Sequence, residues 1–204
     1  VVLPMMTELR LLATSAFPTD PTDNGIDSDG DKKECARAST DTNTITPLAE
    51  LHSRSTKLAV LQTILASIYS ISGNNSGSGA GIPKEKCVIV SNFSDILDDV
   101  AILAKLNSWS SLRIDGSTSI ENRNKYVKYY NNHESPFYLL LLSSKAGGVG
   151  LNLIGGSRMF LLDPDWNPAT DAQTMGRIWR DGQIKPVHIY RMISSGTIEE
   201  SILK

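Results

Sequence analysis

The chain has 204 residues, 40% of them apolar, enough for one α/β domain with a core and an irregular appendage but not for two domains of ordinary size. A net charge of -2 and a pI near 5.9 lack the basic footprint usual in nucleic-acid binding, but the average hides an asymmetry. Residues 1–49 hold 4 basic and 8 acidic side chains and residues 50–204 hold 16 and 14, so the later part, at +2, is compatible with DNA.

No run of about 18 apolar residues occurs, and "VVLPMM" lacks the basic start of a secretory signal. The expectation is a soluble intracellular protein with no membrane partner. Cys35 and Cys87 form neither a disulfide framework nor a metal-ligand pair; Cys87 reads as a small core residue and Cys35 as incidental.

In chain order, "TELRLLATSAF" has helix-like spacing at Leu9, Leu12 and Ala13, and residues 1–17 are expected to be the tail of a preceding segment. Residues 18–50 are acidic and polar with little to bury, and are expected to form a disordered or loosely ordered insertion. From 51 to 204 helices and strands alternate. "TKLAVLQTILASIYSI" places Leu58, Leu61, Leu65 and Ile68 on one helical face, and the serine- and glycine-rich stretch that follows reads as a flexible loop.

The run "CVIVS" predicts a buried parallel strand and Asp95 to Leu106 its crossover helix. "SLRID", "FYLLLLS", "SRMFLLD" and "PVHIYRMI" predict further strands. Ile120 to Tyr130, Ala169 to Trp179 and Thr197 to Leu203 predict helices. Strands separated by helices imply an α/β fold with a parallel sheet covered on both faces, whose function collects in loops at the carboxyl ends of the strands.

Four clusters follow strands. In "LLSSKAGGVGLNLIGG", glycines 147, 148 and 150 permit close backbone approach, and Ser143, Ser144 and Lys145 suit a phosphate backbone; a connection chosen only for its turn geometry explains the glycines equally well. In "QTMGRIWRDGQ", helical spacing puts Gln173, Gly176, Arg177 and Arg180 on one face, with two forked donors suited to a phosphoryl group. In the plainer reading both arginines are solvated or pair with Asp171 and Asp181.

In "LLDPDWNP", two prolines project Trp166 and Asn167, where Trp166 either stacks on nucleic acid or packs against the next helix; Trp179, inside a helix, reads as core. In "RIDGSTS", Ser117 or Thr118 is expected to cap the following helix, whether or not the hydroxyls also contact phosphate. His188 reads as a structural strand residue.

Taken in order, "VIVSNFSDILD", "RIDGSTS", "LLSSKAGGVGLNLIGGSRMFLLDPDWNP" and "QTMGRIWRDGQ" resemble the second RecA-like lobe of superfamily-two ATPases, specifically Swi/Snf-type DNA translocases. The closing "WRDGQ…IYRMISSGTIEESIL" is similar to the recombination-repair branch, where most remodellers carry "HRIGQ". The resemblance covers residues 56–204. It implies a RecA-like parallel sheet and a DNA-dependent ATPase of the nucleus, acting in homologous recombination or chromatin remodelling. In such enzymes a first lobe holds ATP with magnesium and the second closes over it. Neither a G-x-x-x-x-G-K-[ST] nor a helicase acidic box occurs here, so a fragment of a larger enzyme is expected, with no metal ligands of its own.

By match to the motifs, the resemblance implies Arg180 as arginine finger, Arg177 as its companion and Gln173 organising the contact, with Gly150, Asn152 and Asp181 near the nucleotide. Asn92, Gly116, Ser117, Thr118, Ser144, Lys145 and Trp166 match positions that follow the DNA backbone. The implied partners are double-stranded DNA, the first RecA-like lobe, and a strand-exchange recombinase or nucleosomes. A strand-separating helicase lobe and a non-catalytic DNA- or recombinase-binding module remain the alternatives. Two departures stand out: "LRLLATSAFP" lacks the family's Cys-Asn-His-Pro stretch, and Gly176 replaces a small residue with a side chain.

Overall fold

The computed structural model describes residue 51 and residues 55–71, 85–146 and 150–202. The expected segments 1–17 and 18–50 lie outside these, as do residues 72–84 of the serine- and glycine-rich loop, Gly147 and Gly148. The described elements are α1 (Thr56–Ile71), β1 (Cys87–Ser91), α2 (Ser94–Leu106), β2 (Ser111–Ile114), α3 (Ile120–Asn131), β3 (Leu139–Ser143), β4 (Arg158–Leu161), α4 (Pro168–Met175), β5 (His188–Arg191) and α5 (Ile198–Ile202). No helix among the described residues is long and apolar enough to cross a membrane.

The five strands form one parallel sheet in the order β2-β3-β1-β4-β5. Every residue of β1 and β3 is buried, as their unbroken apolar runs require when both faces of a sheet are covered. Because strand side chains alternate, Cys87, Ile89, Leu139 and Leu141 join one core cluster, with Leu61 and Leu65 of α1 and Leu97 and Val100 of α2. Val88, Val90, Leu140 and Leu142 join the opposite cluster with Tyr130 of α3, Leu151, Leu153 and Ile178. The connection after β1 thus crosses one face, and those after β2, β3 and β4 cross the other, as right-handed crossovers demand.

Local chemistry sets the element ends. Ser108, at φ 57, follows α2 in the left-handed region; its N–H bonds Lys105 O at 3.1 Å and Trp109 N–H bonds Ala104 O at 2.8 Å. These two bonds close the helix without a glycine. Ser119, not Ser117 or Thr118, caps α3 by accepting Asn122 N–H, and Asn167 caps α4 by accepting Ala169 N–H at 3.0 Å ahead of Pro168.

The helix expected over Ala169 to Trp179 stops at Met175. Arg177 O, which would continue it, instead accepts Leu153 N–H at 3.0 Å, and Gln183 Nε2 takes Ile178 O at 3.2 Å. The chain therefore turns so that Ile178 enters the core, and Trp179, expected there, is 77% exposed.

Two long-range contacts have no counterpart in the sequence reading. Lys86, at the end of the expected flexible loop, is buried and donates to Tyr130 O at 2.9 Å and Asn132 O at 2.6 Å. Burial, and then the charge of Lys185, lowers its pKa to about 8. Lys57 in the first turn of α1 pairs with the fully buried Glu199 of α5 at 2.6 Å and donates to Leu162 O at 2.8 Å. Breaking such a pair from one side would strand a buried charge at a cost of about 3–5 kcal/mol.

The glycines divide by what surrounds them. A Cβ at Gly155 would lie 2.6 Å from Asn131 Cα and 2.6 Å from Tyr130 O, whereas one at Gly176, a C-cap residue with helical φ of -63°, meets nothing nearer than Ala172 O at 3.4 Å. Gly155→Ala should therefore destabilise by about 1–3 kcal/mol or more through backbone displacement. Gly176→Ala should stabilise by about 0.4–1 kcal/mol by restricting the unfolded chain. Denaturant unfolding of the two variants measures both, and the opposite order of midpoints would contradict the packing described.

Candidate functional site

The carboxyl ends of β1, β2, β3 and β4 carry one continuous set of loops, joined by backbone hydrogen bonds and strand-end carboxylates. Asp163, buried at the end of β4, accepts Asn92 N–H at 2.8 Å and Ser91 Oγ–H at 2.9 Å, fixing the loop after β1. Ser144 N–H bonds Ser91 O at 3.0 Å, so the loop after β3 joins the same group.

After β2, Asp115 Oδ1 accepts Ser117 N–H at 3.0 Å, Ser117 Oγ–H at 2.6 Å and Thr118 Oγ1–H at 3.1 Å. Its Oδ2 accepts Arg113 Nε–H at 3.0 Å, and Arg113 also pairs with Asp98. The hydrogen bond from Ser117, followed by those from Thr118 and Arg113, holds the Asp115 carboxyl at about 2, below its ordinary 3.8. The structure thus brings Asn92, Gly116, Ser117, Thr118, Ser144 and Lys145 to one edge, with Gly116, Ser117 and Lys145 exposed. Trp166, 37% exposed, projects from the loop after β4.

A second grouping lies where residues 150–153 meet the turn after α4. Leu153 N–H bonds Arg177 O, and Arg180 Nη1–H approaches Gly150 O at 3.4 Å. With α4 ended, Arg177 and Arg180 do not share a helical face, a correction to the spacing argument. Arg177 is buried, 5% exposed, with no hydrogen-bond partner for its Nε. Burial, and then the nearby charge of Arg180, lowers its pKa. Arg180, Gln173, Asp181 and Gly150 are exposed, and Asn152 holds a buried Oδ1 without a partner.

Neither arginine makes an ion pair among the described residues, and Asp171 is buried and accepts Asp165 N–H at 3.3 Å. Neither arginine pairs with Asp171 or Asp181 among the described residues, and Arg180 is exposed to solvent as the plainer reading allows. Forked donors lacking a carboxylate are suited to an incoming anion such as a phosphoryl group.

Three residues that organise these loops escaped the sequence reading. Asp115 and Asp163 had a local signal: an Asp ending a strand before a Gly-Ser-Thr or proline turn is the usual carboxylate of an Asx-type turn. Arg123 had none, since its spacing from Asp115, Gly116 and Thr118 follows no turn or cap pattern and Ala146 becomes a neighbour only in the fold.

Comparison with known proteins agrees with this arrangement. The family model "Helicase conserved C-terminal domain" matches residues 79–182, just over half of the chain. The chain is 48% identical over 156 residues to the DNA repair and recombination protein RAD54B of Homo sapiens, covering 76% of this chain and 16% of that protein. It is 52% identical over 120 residues to the RAD54-like DNA repair and recombination protein of Drosophila persimilis, covering 59% and 15%. The chain thus spans about one sixth of the length of these relatives. Among solved structures, the C-terminal part of the Fun30 ATPase domain superposes with a TM-score of 0.64 at 31% identity, covering 76% of this chain and 46% of that one.

The Asp115 turn gives a pH signature. A carboxylate whose folded pKa is depressed stabilises the fold above its ordinary pKa and loses that contribution as pH falls through the folded value. Asp115→Asn should lower Tm near neutral pH, and its gap from the unaltered protein should narrow as pH falls from about 4 towards about 2. Thermal melts across that window check this; a gap that does not change with pH would contradict the turn's electrostatic role.

Proposed function

This chain belongs to the helicase conserved C-terminal domain family, as a second RecA-like lobe of the Swi/Snf, Rad54-like kind, and from that premise we propose that it is the C-terminal motor lobe of an ATP-dependent double-stranded DNA translocase. The observation that carries the reading is the guanidinium couple: Arg180 exposed at Gly150, Arg177 buried, and neither with a carboxylate among the described residues. An opposing first lobe would hold ATP and its magnesium ion. On closure, Arg180 would donate to the transferred phosphoryl group and Arg177 would hold the adjoining Gly150–Asn152 segment in place. The unpartnered Arg177 Nε and Asn152 Oδ1 fit a site that is completed from outside. Gln173 and Asp181 flank the same turn.

The strand-end edge is the DNA face in this reading. Ser117, Thr118, Ser144 and Lys145 provide donors for phosphate oxygens, Asn92 and Gly116 allow close approach, and Trp166 offers a flat surface beside them. Backbone contacts of this sort carry no sequence preference, as a translocase that moves along any duplex requires. The names of the RAD54 relatives favour recombination repair, in the nucleus, over chromatin remodelling. A strand-exchange recombinase is the protein partner that goes with recombination, and nucleosomes the one that goes with remodelling.

In the intact protein, Arg180→Ala should lower DNA-stimulated ATP turnover by about 10³-fold or more, the range for loss of an arginine finger, with little change in nucleotide binding. Steady-state hydrolysis with and without duplex, alongside nucleotide titration, measures this. Normal turnover would remove Arg180 from the reaction, and strand displacement by the unaltered protein would favour a helicase.

A further inference from the structure

Arg123 lies on α3, outside every motif that carries the family likeness, yet its guanidinium reaches four backbone carbonyls, three just before α3 and one after β3. Nε–H donates to Thr118 O at 2.8 Å, Nη2–H to Asp115 O at 3.0 Å and Gly116 O at 3.3 Å, and Nη1–H to Ala146 O at 3.3 Å. The first three carbonyls belong to the loop after β2, and the fourth to the segment after β3. Arg123 makes no ion pair among the described residues, so its charge is satisfied by carbonyl dipoles alone.

We propose that Arg123 is a positioning residue that binds the loop 115–118 and the segment leaving β3 into one rigid unit, so that both parts of the DNA face move together when the nucleotide site changes state. The proposal rests on the motor-lobe reading and adds to it the coupling residue. A guanidinium suits this task because its five N–H groups point in fixed directions, and four carbonyls from two loops meet them at once.

A second arginine holds the same segment four residues later, where Arg180 reaches Gly150 O at the longer distance of 3.4 Å on the exposed side. The two anchors are unequal. Arg180 must release Gly150 O to engage a phosphoryl group, whereas Arg123 is held by four acceptors. Release at Gly150 leaves the Ala146 end tied through Arg123 to the 115–118 loop, so the two parts of the DNA face are displaced as one. Coupling then runs through a discrete exchange of hydrogen bonds.

Two variants of the intact protein test this. Arg123→Lys keeps the charge but offers a point donor; Arg123→Gln keeps two N–H donors without charge. The proposal expects both to lower Tm by no more than a few degrees and to keep the KM for ATP, yet to raise the duplex concentration for half-maximal ATPase stimulation and to lower the base pairs travelled per ATP by about three- to tenfold. Distance per ATP is read from triplex-strand displacement with parallel phosphate release.

An unchanged distance per ATP in both variants overturns the proposal. So does full activity in Arg123→Lys alone, which would assign the effect to charge, or a fall in Tm with proportionate loss of every activity, which would leave a structural role only. Failure of the motor-lobe reading shows separately, as unaltered protein whose hydrolysis does not respond to duplex.

Discussion

A parallel strand between parallel neighbours returns each connection across one face of the sheet, and β1, buried from Cys87 to Ser91, needs cover on both. That requirement sends α1 and α2 to one side and α3 with Leu151, Leu153 and Ile178 to the other, and it leaves β1 and β3 apolar up to the serines at their carboxyl ends. The chemistry-bearing residues are consequently confined to the loops after β1 to β4. Their closeness follows from adjacency in the sheet: β2, β3, β1 and β4 are consecutive neighbours, so their outgoing loops are as well.

Loops that leave parallel strands carry N–H and C=O groups that the ladder no longer pairs, and buried ones must find partners. Here they find partners within the same turn, on α3 and in neighbouring loops. Asp163 and Asp115 accept N–H groups, Arg123 supplies N–H groups to carbonyls, and Ser91 O receives Ser144 N–H. The same bonds that satisfy the backbone therefore hold Asn92, Ser117, Thr118 and Ser144 in fixed relation. Stability and preorganisation come from one set of contacts, so a substitution at Asp163 or Arg123 reaches the face without touching any ligand.

The sequence announced the strands and helix faces well because those depend on local periodicity. "CVIVS" and residues 56–71 are observed with the expected bounds. It failed where a distant partner intervened. The helix after Asn167 reads as continuing to Trp179 until Leu153, far away in sequence, claims the carbonyl of Arg177. Ser117 and Thr118 look like caps until Asp115 takes their hydroxyls and leaves Ser119 to cap. Lys57 and Lys86 carry no local signal, and the fold buries them against Glu199 and the end of α3. The residues of the two candidate faces were legible as motifs, but their grouping into two faces is a product of these long-range bonds.

The contrast between the two arginines bears on how such a lobe would act. A buried guanidinium N–H without an acceptor costs about 1–3 kcal/mol, and Arg177 carries that cost beside the like charge of Arg180. An aliphatic side chain at 177 would avoid both penalties, so the position is not explained by stability of the lobe alone. An anion brought in by an opposing surface offsets both at once. If that anion is the transferred phosphoryl group, the compensation grows as negative charge accumulates on its oxygens, so the lobe binds the transition state more tightly than bound ATP. In that reading the cost carried by the open lobe would be offset only on closure, which would tie turnover to the docking of the opposing lobe.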